Sequence, residues 1–406
     1  MEKKNKKKTK WTKKRHAFIT ALAHAVLYPI IKLKYHIKFK KFKERKGRQF
    51  FVISNHQTCF DQFFVAILFK GPVYYIASED LFSKGFISKL LKFAVAPIPI
   101  KKQTNDVGAV LNCIKVAKEG GTIALFPEGN RTFSGKTEYF KSSIVSLTKM
   151  LKLPLAIMHI EGGYGVEPRW SRSTRKGKMT AYVKRVVEYE EYSKLSNEEL
   201  FDLIKSELDV NEAKVDGTFT GKNLANYLER VIYVCPECGL STFESKKDII
   251  TCKKCGKGMK YLPTKELEPV NCSWPFKFVN DWYEYQNDFI RHLNLSLYDN
   301  KVMYQDKAQF MEVIPYKNKK MISKEADILI YNNRYEIVTS KDTIVLDFDN
   351  ISVVTILGRN KVNIYYQDKL YQIKGDERMN AFKYMHIYYH KKNEEKGVIE
   401  NEFLGI

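Results

Sequence analysis

The chain has 406 residues, room for two or three domains of about 150 residues each. Its 44% apolar content supports packed cores and excludes a wholly disordered polyelectrolyte. The formal charge of +23 is lopsided: residues 1–50 hold 15 Lys and 3 Arg against 2 Glu, a local balance of +16, so the other 356 residues carry only about +7. Such a block suits an anionic membrane surface, where each Lys or Arg contributes about 1 kcal/mol. Nucleic acid and a merely solvated tail are the competing readings.

The basic N-terminus runs into an apolar stretch, Ala17–Ile31, interrupted by His24 and Pro29. No small-residue cleavage site follows it; Lys32, Lys34, Lys38, Lys40 and Lys41 come instead. Fifteen residues fall short of the roughly 20 needed to span a bilayer, so residues 1–48 read as a basic segment with an interfacial or re-entrant helix. The expected location is the cytoplasmic face of the cell membrane, with the protein monotopic or peripheral there.

Residues 49–230 alternate strand and helix patterns, which predicts a layered α/β domain. Strands are expected at 51–54, 73–77, 96–100, 122–126, 155–160 and 179–187. Helices are expected at 60–69, 86–93, 105–118, 141–151 and 197–208, the third capped by Thr104 or Asn105 and stopped by Gly120-Gly121.

Two loops in this region carry chemistry. Asn55-His56-Gln57-Thr58-Cys59-Phe60-Asp61 follows the first strand. A His at a strand end sits on the rim of a sheet. A carboxylate five residues on can fold back, fix the imidazole tautomer and make the other ring nitrogen a base. Alone, this spacing also describes an ordinary structural His. The second loop, Phe126-Pro127-Glu128-Gly129-Asn130-Arg131-Thr132, also follows a strand. If the two strands are neighbours, Glu128 and Arg131 share an edge with His56. Arg131 offers a planar fork for phosphate, and Glu128 can accept from an acceptor hydroxyl or orient Arg131. A surface ion pair on a turn is the plain alternative.

His56-x4-Asp61 together with Phe126-Pro127-Glu128-Gly129-x-Arg131 resembles the glycerolipid acyltransferase family, most closely bacterial 1-acylglycerol-3-phosphate acyltransferases. Ala96–Lys102, Leu153–Ile157 and Phe140-Lys141 agree with it in order, so the likeness covers about residues 17–190. Departures are Thr58 for the usual Ser, Asn130 for Thr, and Lys102 for Arg. The resemblance implies that His56 and Asp61 are catalytic and that Lys102, Glu128, Gly129 and Arg131 bind the acceptor. It implies direct transfer from acyl-CoA or an acyl carrier protein to the free hydroxyl of 1-acylglycerol-3-phosphate, giving phosphatidate in phospholipid biosynthesis. Another lysolipid acceptor is the near alternative. Nothing in the motif activates Cys59 as a nucleophile.

Seven cysteines give no disulfide framework, which points to a reducing compartment. Four of them form Cys235-x2-Cys238-Gly239 and Cys252-x2-Cys255-Gly256, 13 residues apart. This spacing suits one structural, tetrahedral zinc, and residues 231–262 resemble a zinc ribbon. Because ribbons often bind nucleic acid, a nucleic-acid-binding protein is the rival of another class; the paired loops count against it, and the expected partners are membrane lipids and lysophospholipid. Residues 263–406 read as short strands from 328 to 373 closed by a helix at 377–390. This predicts a small β-barrel or sandwich and resembles a pleckstrin-homology or GRAM-like domain.

Overall fold

The computed structural model describes residues 10–45, 47–78, 81–82, 85–100, 106–314 and 319–397. Its first domain is built on a seven-stranded sheet. In chain order the elements are α1 (Lys14–Tyr35), β1 (Ile37–Phe39), β2 (Phe51–Ser54), α2 (Asp61–Phe69), β3 (Val73–Ser78), α3 (Phe86–Ala94), β4 (Ile98–Ile100), α4 (Val107–Lys118) and β5 (Thr122–Leu125). There follow α5 (Ser143–Leu151), β6 (Leu155–Glu161), α6 (Gly163–Val166), β7 (Met179–Val187), α7 (Tyr189–Tyr192) and α8 (Asn197–Leu208). The strand order is β1-β7-β6-β2-β5-β3-β4. Strand β2 runs parallel to both of its neighbours, β5 and β6, while β7 is antiparallel to β6.

Strand β2 is buried throughout. Phe51 and Ile53 enter one core with residues of α4, α5 and α8, and Val52 enters another with residues of α1 and α2. A strand covered on both faces must be apolar at every position, which is why Phe51-Val52-Ile53 reads as a run. Because β2 and β5 are adjacent and parallel, the loops after them leave the same edge of the sheet. That is the condition the two motifs required. The cap of α4 is Asp106, whose carboxylate accepts from Ala109 N at 3.0 Å; Thr104 and Asn105 lie outside the described residues.

Helix α1 is longer than the apolar run, 22 residues against 15, because its ends are basic rather than apolar. At 1.5 Å per residue it is about 33 Å long, enough by length and composition to cross a bilayer. One side of it packs on the domain through His16, Ile31 and Tyr35. The other exposes Phe18, Leu22, Val26, Ile30 and Leu33. Helix α3, in contact with it, exposes Phe86, Ile87, Leu90 and Phe93.

The cysteine region holds a two-stranded hairpin, β8 (Val234–Cys235) and β9 (Gly239–Leu240), and a four-stranded antiparallel sheet, β10 (Phe243–Lys246), β11 (Ile249–Cys252), β12 (Gly258–Tyr261) and β13 (Leu267–Val270). Strand β13 carries that sheet past residue 262. Helix α9 (Val279–Arg291) follows. Then come β14 (Tyr304–Glu312), β15 (Lys320–Ile330), β16 (Arg334–Val338), β17 (Thr343–Asp347), β18 (Ile351–Leu357), β19 (Lys361–Tyr366), β20 (Lys369–Gly375) and α10 (Phe382–Glu395). These strands form one antiparallel sheet of order β17-β16-β15-β14-β20-β19-β18. The expected closed barrel is a curled half-barrel, with no ladder joining β17 to β18 among the described residues. Helix α10 closes it through Tyr384, Met385 and Tyr388, in a core continuous with Val234, Cys252 and Trp282.

Candidate active site

Asp61 opens α2 with a fully buried side chain. Its carboxylate accepts from the backbone N–H groups of Gln57 (2.5 Å) and Thr58 (2.9 Å), from Thr58 Oγ1 (2.6 Å) and from His56 Nδ1 (2.8 Å). With four donors converging on it, the group acts as an ionised acceptor. The Nδ1 of His56 therefore carries a proton, and Nε2 presents its lone pair. Thr58 keeps the hydroxyl that a Ser would supply and gives it to Asp61.

His56 is held on three sides. Its backbone N–H donates to Glu128 Oε1 at 2.8 Å, its carbonyl accepts from Thr132 N at 3.0 Å, and its ring stacks on Phe126 at 4.3 Å between centroids. The side chain remains 19% exposed. Burial lowers the His56 pKa, as do the charges of Arg131 and Arg169, while Asp61 acts to raise it; the net direction is down from 6.5. The ring is thus neutral at pH 7, as a general base must be.

Glu128 has a different place from the one expected of it. It is 1% exposed, and its oxygens accept from the backbone amides of His56 and Glu138 (3.0 Å), so it braces the His56 main chain instead of facing Arg131. Burial pushes its pKa up to about 8 against the pull of those two amides. Gly129, at φ +68°, turns the chain back, its N–H donating to Phe126 O at 3.0 Å. Arg131 instead pairs with Glu167 at 3.0 Å, whose other oxygen accepts from Tyr35 at 2.5 Å. Burial would raise the Glu167 pKa, but these bonds and the Arg131 charge outweigh it and hold it low. Lys101 and Lys102 lie outside the described residues.

Beside His56 lies a cavity of about 950 Å³. Its walls include Phe63 and Phe126, Ala23 of α1, Val95 after α3, and Leu147 and Met150 of α5. Its size and apolar walls fit a fatty chain. Cys59 is no rival nucleophile: burial and Glu167 raise its thiol pKa.

A family model for acyltransferases matches residues 36–160. This part of the chain is similar to acyltransferase domains. The 1-acyl-sn-glycerol-3-phosphate acyltransferase of Bacillus subtilis (strain 168) is 24% identical over 127 residues, 31% of this chain. The match spans 60% of that relative's length. A crystal structure of the 1-acyl-sn-glycerophosphate acyltransferase PlsC from Thermotoga maritima is 23% identical, covering 48% of this chain and 76% of that one, with a TM-score of 0.38.

The first domain owes part of its candidate site to residues that carry no motif. Arg169 is 2% exposed and bridges Arg131 O (2.7 Å), Asn130 Oδ1 (3.3 Å) and Gly358 O (2.9 Å). Glu167 and Arg169 stand in Glu167-Pro168-Arg169-Trp170, where no periodicity or spacing marks them.

A second constellation lies apart from this site. The Sγ atoms of Cys235, Cys238, Cys252 and Cys255 lie within 4.8 Å of one another, with Cys235 and Cys255 3.8 Å apart. Sulfurs around a tetrahedral zinc at about 2.3 Å stand about 3.8 Å apart, so the set fits that ion. Gly239 and Gly256, at φ +66° and +73°, make the tight turns after each pair.

Proposed function

We propose that this protein is a membrane-bound lysophospholipid acyltransferase whose acceptor is 1-acylglycerol-3-phosphate and whose donor is acyl-CoA or acyl carrier protein. The observation that carries the reading is the His56–Asp61 pair, 2.8 Å apart, with His56 lining an apolar cavity and under the charge of Arg131. His56 Nε2 takes the proton of the acceptor hydroxyl as that oxygen attacks the thioester carbonyl. Asp61 stabilises the imidazolium that forms. The tetrahedral intermediate collapses, the C–S bond breaks, and the imidazolium returns its proton to the departing thiolate. The fatty chain occupies the cavity, and Arg131 attracts the acceptor phosphate.

The exposed faces of α1 and α3 make an apolar surface beside the cavity. Because the opposite face of α1 is packed on the domain, the helix lies on the bilayer in this reading, with the basic N-terminal block on anionic headgroups. The four cysteines hold one structural zinc, leaving no open coordination position. Buried Cys235 and Cys252 tie it to the core beneath α9, which supports a bracing role.

The test is purified protein with acyl-CoA and a panel of lysolipids, beside His56→Ala. Phosphatidate formation by the wild type and its loss in the variant are expected. Turnover by His56→Ala within tenfold of wild type would overturn the mechanism.

A further inference from the structure

The turn between β18 and β19 reaches the first domain. Gly358 O accepts from both Nε (3.0 Å) and Nη2 (2.9 Å) of Arg169, and Arg359 Nε returns a bond to Arg169 O at 2.9 Å. Arg169 in turn holds the carbonyl of Arg131. The C-terminal sheet is thus fastened, through two arginines, to the loop that follows β5.

The charges at this junction do not balance. Glu167 is the carboxylate of Arg131, and its second oxygen is taken by Tyr35. Arg172 pairs with Glu377. The hydrogen bonds of Arg169 go to neutral oxygens. Among the described residues Arg359 has no carboxylate within ion-pair distance, although it is half-buried and near enough to Arg131, Glu167 and Arg172 to feel their charges. Guanidinium groups withdrawn from water without a counter-charge favour an incoming anion. None of these arginines lines the apolar cavity beside His56, so the anion that fits here belongs to the polar end of the acceptor.

We infer that Arg359, carried by the C-terminal sheet, is a second phosphate-binding residue that clamps the phosphate monoester of the acceptor together with Arg131. The inference rests on the acceptor reading above and deepens it. The C-terminal sheet is then part of the specificity site, and a domain lacking this turn would grip the phosphate less tightly.

The test is Arg359→Gln and Arg359→Lys in the full chain, assayed in mixed micelles with 1-acylglycerol-3-phosphate, with 1-acylglycerol, and over a range of acyl-CoA. Losing one charge-assisted contact predicts an acceptor KM raised about 10- to 100-fold in Arg359→Gln, with kcat within about twofold. The KM for acyl-CoA and the slow turnover of 1-acylglycerol should not move, and Arg359→Lys should recover most of the loss. The Arg169–Gly358 bonds use a backbone oxygen and persist, so both variants should lose only the Arg359–Arg169 bond and show a small, equal fall in melting temperature. A raised KM for acyl-CoA alone would assign the site to the donor's phosphates and overturn the inference. Equal losses on both acceptors, or no change, would also overturn it. Wild-type protein inactive on every phosphorylated lysolipid would instead refute the acceptor reading itself.

Discussion

Asp61→Asn removes the charge that faces the His56 imidazole while nearly preserving its shape. In the wild type the carboxylate lies 2.8 Å from His56 Nδ1 and is fully buried, so water does not screen the pair well. In the proposed reaction His56 becomes a cation as the acceptor hydroxyl loses its proton. With the charge centres about 4 Å apart and an effective dielectric of about 20, the stabilisation forfeited is about 4 kcal/mol. That corresponds to a fall in kcat of about 10³-fold. An amide also offers one acceptor oxygen to donors that now share two, which adds a loss of about 1–3 kcal/mol in stability. The pH profile gives an independent sign. Burial already holds the His56 pKa below 6.5, and Asp61 is what raises it. The wild-type acid limb should therefore lie below pH 6.5, and in Asp61→Asn it should move lower still. The assay is kcat against pH under saturating substrates, with a melting curve for each protein. A variant that folds normally and keeps kcat within tenfold would refute the role given to Asp61. A limb displaced upward would do the same.

Arg131→Ala should lower kcat/KM for a phosphorylated lysolipid about 10²–10³-fold and leave an unphosphorylated acceptor nearly unchanged; parallel assays on the two acceptors decide it. Glu128→Gln leaves the amide of His56 or of Glu138 without a partner; a stability loss of about 1–3 kcal/mol with lowered kcat is expected in denaturant titration and steady-state assays. Metal analysis should find one zinc per chain. Chelation should unfold residues 231–262 and loosen the adjoining core at Trp282, followed by its fluorescence, because structural zinc supplies about 10–16 kcal/mol in small modules. Replacing Phe18, Leu22 and Leu33 with Gln should weaken binding to anionic vesicles about 10³-fold, at about 1.5 kcal/mol for each side chain; co-sedimentation at two salt concentrations measures it.

The pairs that can be read in the sequence are those whose geometry is local. His56 and Asp61 stand five residues apart across a strand end and a helix start, so one turn brings them together whatever the rest of the fold does. The same holds for each Cys-x2-Cys knuckle. The buried strands were legible because a central parallel strand must be apolar on both faces. Helix α9 leaves a fainter mark: Val279, Trp282, Tyr283, Gln286 and Ile290 share one face, but intervening polar residues mask the pattern.

What the tertiary structure decided depends on contacts between distant segments. Only the pairing of β2 with β5 sets Glu128 against the His56 amide, 72 residues away, and so turns a candidate substrate ligand into a brace. Burial made the same decision for Asp61, since a carboxylate's spacing says nothing of how many donors will surround it. The length of α1 escaped composition because its basic ends extend the helix without extending the apolar run. Arg169 and Arg359 lie in segments with no motif and meet across 190 residues of chain. Side-chain pattern reports the face a residue presents to its own element. Which foreign surface that face will meet is fixed by the packing of whole layers, and it is this packing that brings the C-terminal turn to the rim where Arg131 stands.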